Sequence, residues 1–251
     1  KSQLPSHVTL VAVSKTKPEN GNWQTFSSLK NNGKLDYYEQ QIMQTWSIKD
    51  YNGSVPSDDQ FFDSFMKFEP TIQGHFAEGM LELKKRAIAE NVSYIETQLS
   101  TIRCNMNVSD LADFNTKLRQ SANQKDEKAV LKLLDELYKS IQKKDAKKYA
   151  DDFNNNFLAK LHKDLKIDDE RFTMRYQNFV LRFMEPVDLF KNLVIAFISS
   201  SESKLTAGVN IVSPEHGKTS MKDYWLHMVM FKYCHSKWKK NQPGRHLDLF
   251  K

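Results

Sequence analysis

Apolar and polar positions along this chain fall into two periods, one near two residues and one near 3.6, and segments of the two kinds alternate. The compact β-branched run at 8–13, after Pro5, predicts a buried strand closed by Lys15, Lys17 and Pro18. Residues 19–34, with Gly21, Gly33 and several Asn, predict a loop. Leu35, Tyr38, Ile42 and Trp46 then recur at helical spacing over 35–48. Pro56 breaks the chain. Ser57 before Asp58 and Asp59 predicts a helix N-cap with acids in the first turn, continued by Phe61, Phe62, Phe65 and Phe68 to Pro70. Phe76, Met80, Leu83 and Ala87 mark one face of a further helix.

A second strand is predicted at 93–100, where Ile95, Thr97 and Leu99 alternate with Tyr94, Glu96 and Gln98. Helices follow at 109–121 and 126–142. The latter is the most clearly amphipathic stretch, with Val130, Leu133, Leu134, Leu137, Tyr138 and Ile141. The lysine-rich 143–148 predicts a solvated turn, and Tyr149, Phe153, Phe157 and Leu161 another helix. The third strand is predicted at 172–183. Glu185 and Pro186 start a helix that ends at Ser199–Ser201. A fourth strand at 207–212 leads to a helix from Ser220 to Lys239, with Met221, Tyr224, Trp225, Met228 and Phe231 on its apolar stripe. Strands alternating with helices imply α/β class with a parallel sheet, because parallel neighbours need a crossover.

Composition adds bounds. Hydrophobic residues make up 39% and aromatics 12%, enough for a core. The net charge of +6 is spread over lysine-rich helices that also carry acids, so it reads as solvated surface and not as a nucleic-acid interface. Cys104 and Cys234 form no disulfide framework, and a reducing, cytoplasmic setting is expected. No run of about 18 apolar residues predicts a membrane span. The first residue is Lys1, not Met, which reads as a fragment or a processed product.

Several constellations are weighed against plain alternatives. HGKTS at 216–220 resembles the end of a phosphate loop, but Val212 stands where that motif needs glycine. His227, Cys234 and His235 share a predicted helix. The first two are about 10 Å apart along its axis, too far for one zinc without another element. KWKK at 237–240 suits a helix C-terminus, which favours cations.

The segment AGVNIVSPEHGKTSMKDYWLHMVMF, 207–231, resembles the fourth strand and following helix of the adenosine deaminase family. So, in family order, do NWQTFSSLK (22–30), KLDYYEQQIMQTWSIKDYNG (34–53), VPSDDQFFDSFMKFEP (55–70), ENVSYIETQLSTI (90–102) and RYQNFVLRFMEPVDLFKNLVIAF (175–197). The resemblance covers about 22–238. It implies a zinc-dependent (β/α)8 barrel that deaminates a purine nucleoside, with its chemistry at the C-terminal strand ends. It also implies that Ser213 and Glu215 lie near the substrate. The family's His-x-His and His-Ala-Gly-Glu motifs are absent, so the zinc ligands and catalytic acid have no counterpart, and no turnover is expected. Asp58 and Asp59 are explained by helix capping, not by the family's paired aspartates.

The opening LPSHVTLVAVSKTKP, 4–18, resembles instead the first strand of the pyridoxal-phosphate homeostasis protein family. That resemblance would make Lys15 the Schiff-base lysine. The phosphate-binding loops are missing, so pyridoxal phosphate is not expected. The resulting expectation is a partial TIM-type barrel of about four parallel strands over residues 1–251. Within it, 1–18 substitute for the first strand, 19–92 form a helical insert, 93–238 supply the βα units and 239–251 form a divergent tail. Its implied partners are a purine nucleoside, if any turnover exists, and a second copy through exposed sheet edges.

Overall fold

The computed structural model describes residues 19, 22–48, 51, 53–72, 74–241 and 248–249. The expected strand at 8–13 and Lys15 lie outside them. The chain divides into two compact units, Lys1–Phe76 and Ala77–Lys251. Among the described residues no helix is long and apolar enough to cross a membrane.

The first unit contributes α1 (Phe26–Asn31), α2 (Leu35–Trp46) and α3 (Ser57–Ile72). The expected loop at 19–34 is corrected here. Thr25 caps α1 by accepting the Ser28 N–H on Oγ1 at 3.1 Å, and the Asn-Asn-Gly run serves only to end the helix, with Gly33 at φ 70. Leu29 is buried within this unit, whereas Phe61, Phe65 and Met66 of α3 are exposed.

The second unit opens one residue into α4 (Phe76–Ala89) and continues with β1 (Tyr94–Thr97). After a 3-10 turn at Ser109–Leu111 come α5 (Asp113–Asn123) and α6 (Glu127–Lys143). Asp126 caps α6 by accepting the Ala129 N–H at 3.0 Å, and Val130, Leu134, Leu137 and Ile141 are fully buried, as the periodicity predicts. Next are α7 (Ala146–Asp151), a π-helix (Asp152–Ala159) and α8 (Lys160–Asp164), then β2 (Thr173–Leu181), α9 (Pro186–Glu202) and β3 (Thr206–Val212). The chain continues through α10 (Lys218–Lys222) and α11 (Tyr224–Asn241) to the two-residue β4 (Asp248–Leu249).

Two of these elements differ from expectation for physical reasons. Tyr149, Phe153, Phe157 and Leu161 repeat every four residues, so an α-helix would rotate them about 40° per step off a common face. The wider i→i+5 turn of the π-helix compensates for that drift. The helix expected over 220–239 is broken at Asp223, where α10 ends and α11 begins. Met221 and Tyr224, expected on the apolar stripe, are therefore exposed at 68% and 56%. Leu226, Val229, Met230, Tyr233 and Cys234 form the buried face instead.

The protein is mixed α/β, and the sheet runs β1-β2-β3-β4 with every pairing parallel. Burial alternates strictly along β2: Met174, Tyr176, Asn178 and Val180 are buried, and the residues between them are half-buried. Met174 and Tyr176 pack with Met80 and Ala87 of α4, Leu158 of the π-helix and Ile167. Val180 joins Leu193, Ala196 and Phe197 of α9 and Met230 and Cys234 of α11. On the other face Glu96 Oε2 accepts from Gln177 Nε2 at 2.9 Å, next to Phe179 and Leu181.

Candidate functional site

In a parallel sheet the loops leaving the C-terminal strand ends carry the chemistry, so the site is built from the ends of β1, β2 and β3. At β3 the chain turns sharply. Ser213 has φ 99, a left-handed conformation uncommon for a side-chain-bearing residue. The Gly217 N–H then donates to Pro214 O at 3.2 Å, and a Cβ at Gly217 would stand 3.1 Å from that same oxygen. Ser213 and Glu215 thus lie in the tight turn that leaves β3. The Glu215 carboxylate is engaged by Arg182, which donates from Nη1 at 3.2 Å.

Arg182 follows β2 on its buried face, with 7% of its side chain exposed. Its Nη2 donates to Ile211 O on β3 at 2.9 Å, and its Nε has no hydrogen-bond partner. A guanidinium at an inward-facing strand position is a signal the alternation along 172–183 already carried.

Beside it stands a charge cluster that sequence reasoning missed. Arg119 of α5 donates to Asp223 from Nε at 3.1 and 3.0 Å and from Nη2 at 2.7 Å. It also donates to Glu185 from Nη1 at 2.6 Å and Nη2 at 3.1 Å. Asp223 is 3% exposed. Its two carboxylate partners raise the affinity of Arg119 for its proton further. One turn into α11, His227 is buried with no partner on Nε2. Burial holds its imidazole down at about 4, helped by Arg182 and Arg119 and opposed by Asp223.

Two depressions adjoin at Arg103 and Cys104. A cavity of about 230 Å³ lies between Thr101–Cys104, the β2 end at Phe179–Leu181, and Met184, Asn192 and Ala196. Asn192 Nδ2 donates there to Met184 Sδ at 3.1 Å. A wider surface cleft of about 1210 Å³ runs along α7 and the π-helix. Much of its lining is already paired: Lys147 with Asp151 and Glu202, Tyr149 with Asn105, and Asn156 with Asp152. Cys104 is half-buried, and burial pushes its thiol up.

The last residues of the described strands offer no converging donors of the kind a catalytic zinc takes. Zinc needs His, Cys or carboxylate donors converging at about 2 Å. The described ends of β1, β2 and β3 present Thr97, Leu181–Arg182 and Val212–Ser213, and a guanidinium there opposes a cation. His162 lies at the opposite, N-terminal end of β2. Its Nδ1 pairs with the Tyr176 hydroxyl at 2.9 Å and its Nε2 sits 3.4 Å from Asp168. His235 stacks on Trp238 with ring centroids 5.7 Å apart, and the fully buried Cys234 thiol is pushed up by burial. His227 and Cys234 are buried in α11 and His235 is half-buried there. No family model, no curated protein and no solved structure matches this chain.

Proposed function

We propose that the parallel sheet is an arc of a (β/α)8 barrel of the adenosine deaminase kind, and that its C-terminal edge holds a purine nucleoside without hydrolysing it. One observation carries this reading. The strand order equals the chain order, and the buried side chains of β2 all face helices on a single side. A barrel wall is built that way, whereas doubly wound sheets reverse strand order and take helices on both faces. The resemblance of 22–238 to that family supports the ligand class. The carboxylate on the β3 turn, Glu215, is paired with Arg182, and no hydrolytic step is assigned to it.

The test is adenosine turnover followed in the ultraviolet, with zinc measured on the same sample and adenosine binding measured by calorimetry. The expected result is binding without turnover and without stoichiometric zinc. Turnover with one zinc per chain would overturn the non-hydrolytic assignment. Absence of binding at millimolar adenosine would overturn the nucleoside assignment.

A further inference from the structure

The turns leaving β2 and β3 are held by one side chain. Arg119 joins Glu185, which precedes α9, to Asp223, which precedes α11, so its guanidinium anchors both βα connections at the sheet's C-terminal edge. His227 lies directly behind this anchor. It is 2% exposed, its Nε2 has no partner, and its backbone N–H donates to Asp223 O at 2.8 Å. We propose that the clamp is acid-labile: a proton taken up by His227 draws Asp223 away from Arg119 and releases the 213–223 segment from the sheet edge.

The charges around the ring give the direction. Asp223 faces His227 from the start of its own helix, Arg182 from the end of β2, and Arg119 from α5. Glu215 and Glu185 stand behind the two arginines, and both are exposed, with 78% and 53% of their side chains accessible. With a neutral ring, Arg119 divides its donors between Asp223 and Glu185, and Arg182 is paired with Glu215. An imidazolium adds a third cation, and Asp223 is the neighbour that favours it. An imidazolium drawn to the Asp223 carboxylate competes with Arg119 for it. Release lets the ring reach water, where its proton affinity returns to the ordinary value near 6.5.

The clamped state therefore keeps its full advantage above about pH 6.5 and loses it progressively as the pH falls toward 4. The clamped-to-released ratio falls by tens of fold at pH 4.5 and tends to roughly 300-fold only well below pH 4, the limit set by 2.5 pH units.

Hydrogen exchange of the full chain at pH 7.0 and 4.5, corrected for intrinsic rates, tests this. Peptides covering 213–227 should lose protection by tens of fold at pH 4.5 while peptides from α6 keep theirs. His227→Phe should retain protection at 213–227 at both pH values. His227→Gln, which keeps polar character without titrating there, serves the same purpose should the phenylalanine variant fail to fold. Three outcomes overturn the proposal: no loss in the wild-type chain, equal loss in α6, or loss in the variants that matches the wild type.

Discussion

Asn178 sits at the centre of β2 with 1% exposure, a polar side chain where the alternation calls for an apolar one. Its Nδ2 group faces three acceptors on α9: Ser200 Oγ at 2.9 Å, Ser199 Oγ at 3.0 Å and Ala196 O at 3.2 Å. Ser199 Oγ in turn donates to Asn154 Oδ1 at 2.7 Å, and Asn154 Nδ2 donates to Ser199 O at 3.0 Å. Sheet, helix and π-helix are thus joined by one buried network. Asn178→Leu keeps the branched outline of the side chain, with methyl groups in place of the amide, and removes its donors. An amide has two N–H groups, so about two hydrogen bonds are lost, and two serine oxygens are left in apolar surroundings. At about 1 kcal/mol per net bond plus a similar desolvation penalty, the expected cost is about 3 kcal/mol. Urea unfolding of the second unit, followed by circular dichroism, should show a lowered midpoint with an unchanged slope. Asn154→Leu provides the second arm of a double-mutant cycle. Because Ser199 mediates both arms, the two changes should be subadditive by about 1 kcal/mol. A cost for Asn178→Leu below about 0.5 kcal/mol, additive with Asn154→Leu, would refute the network argument.

Two further outcomes can be read by the same unfolding assay. Arg119→Met leaves the buried Asp223 carboxylate without its guanidinium and should cost about 3–4 kcal/mol, most of it recovered when Asp223→Asn is added. Ser213→Gly relieves a side-chain-bearing residue at φ 99 and should stabilise the chain by about 1 kcal/mol; a neutral or destabilising result would mean the turn is not strained.

Much of the secondary structure was legible because burial imposes a period. The α6 stripe and the β2 alternation are each read from one element facing one neighbour, and both occur where expected. What escaped reading depends on partners far away in the chain. Asp223 looks like an ordinary polar position in a helix until Arg119, 104 residues earlier, is seen to claim it and the helix is seen to break there. Asn178 and Asn154 look like interruptions of an apolar pattern, and only the serines of α9 make them satisfiable inside a core. The resemblance put Ser213 and Glu215 near a substrate, but the commitment of Glu215 to Arg182 follows from strand register. The π-helix left a trace in the four-residue aromatic repeat, which was read as an ordinary helix.

The agreement between strand order and chain order has a consequence for how the sheet is assembled. Among the described strands, each after β1 meets a neighbour that lies earlier in the polypeptide, and none has to be threaded between two strands already in place. The sheet therefore extends from one rim only, one strand and its crossover at a time. An insertion in a crossover lengthens a single step of that growth and leaves the pairings on either side intact. By this geometry the long, helix-rich excursion between β1 and β2 is tolerated on the same terms as the single helix between β2 and β3.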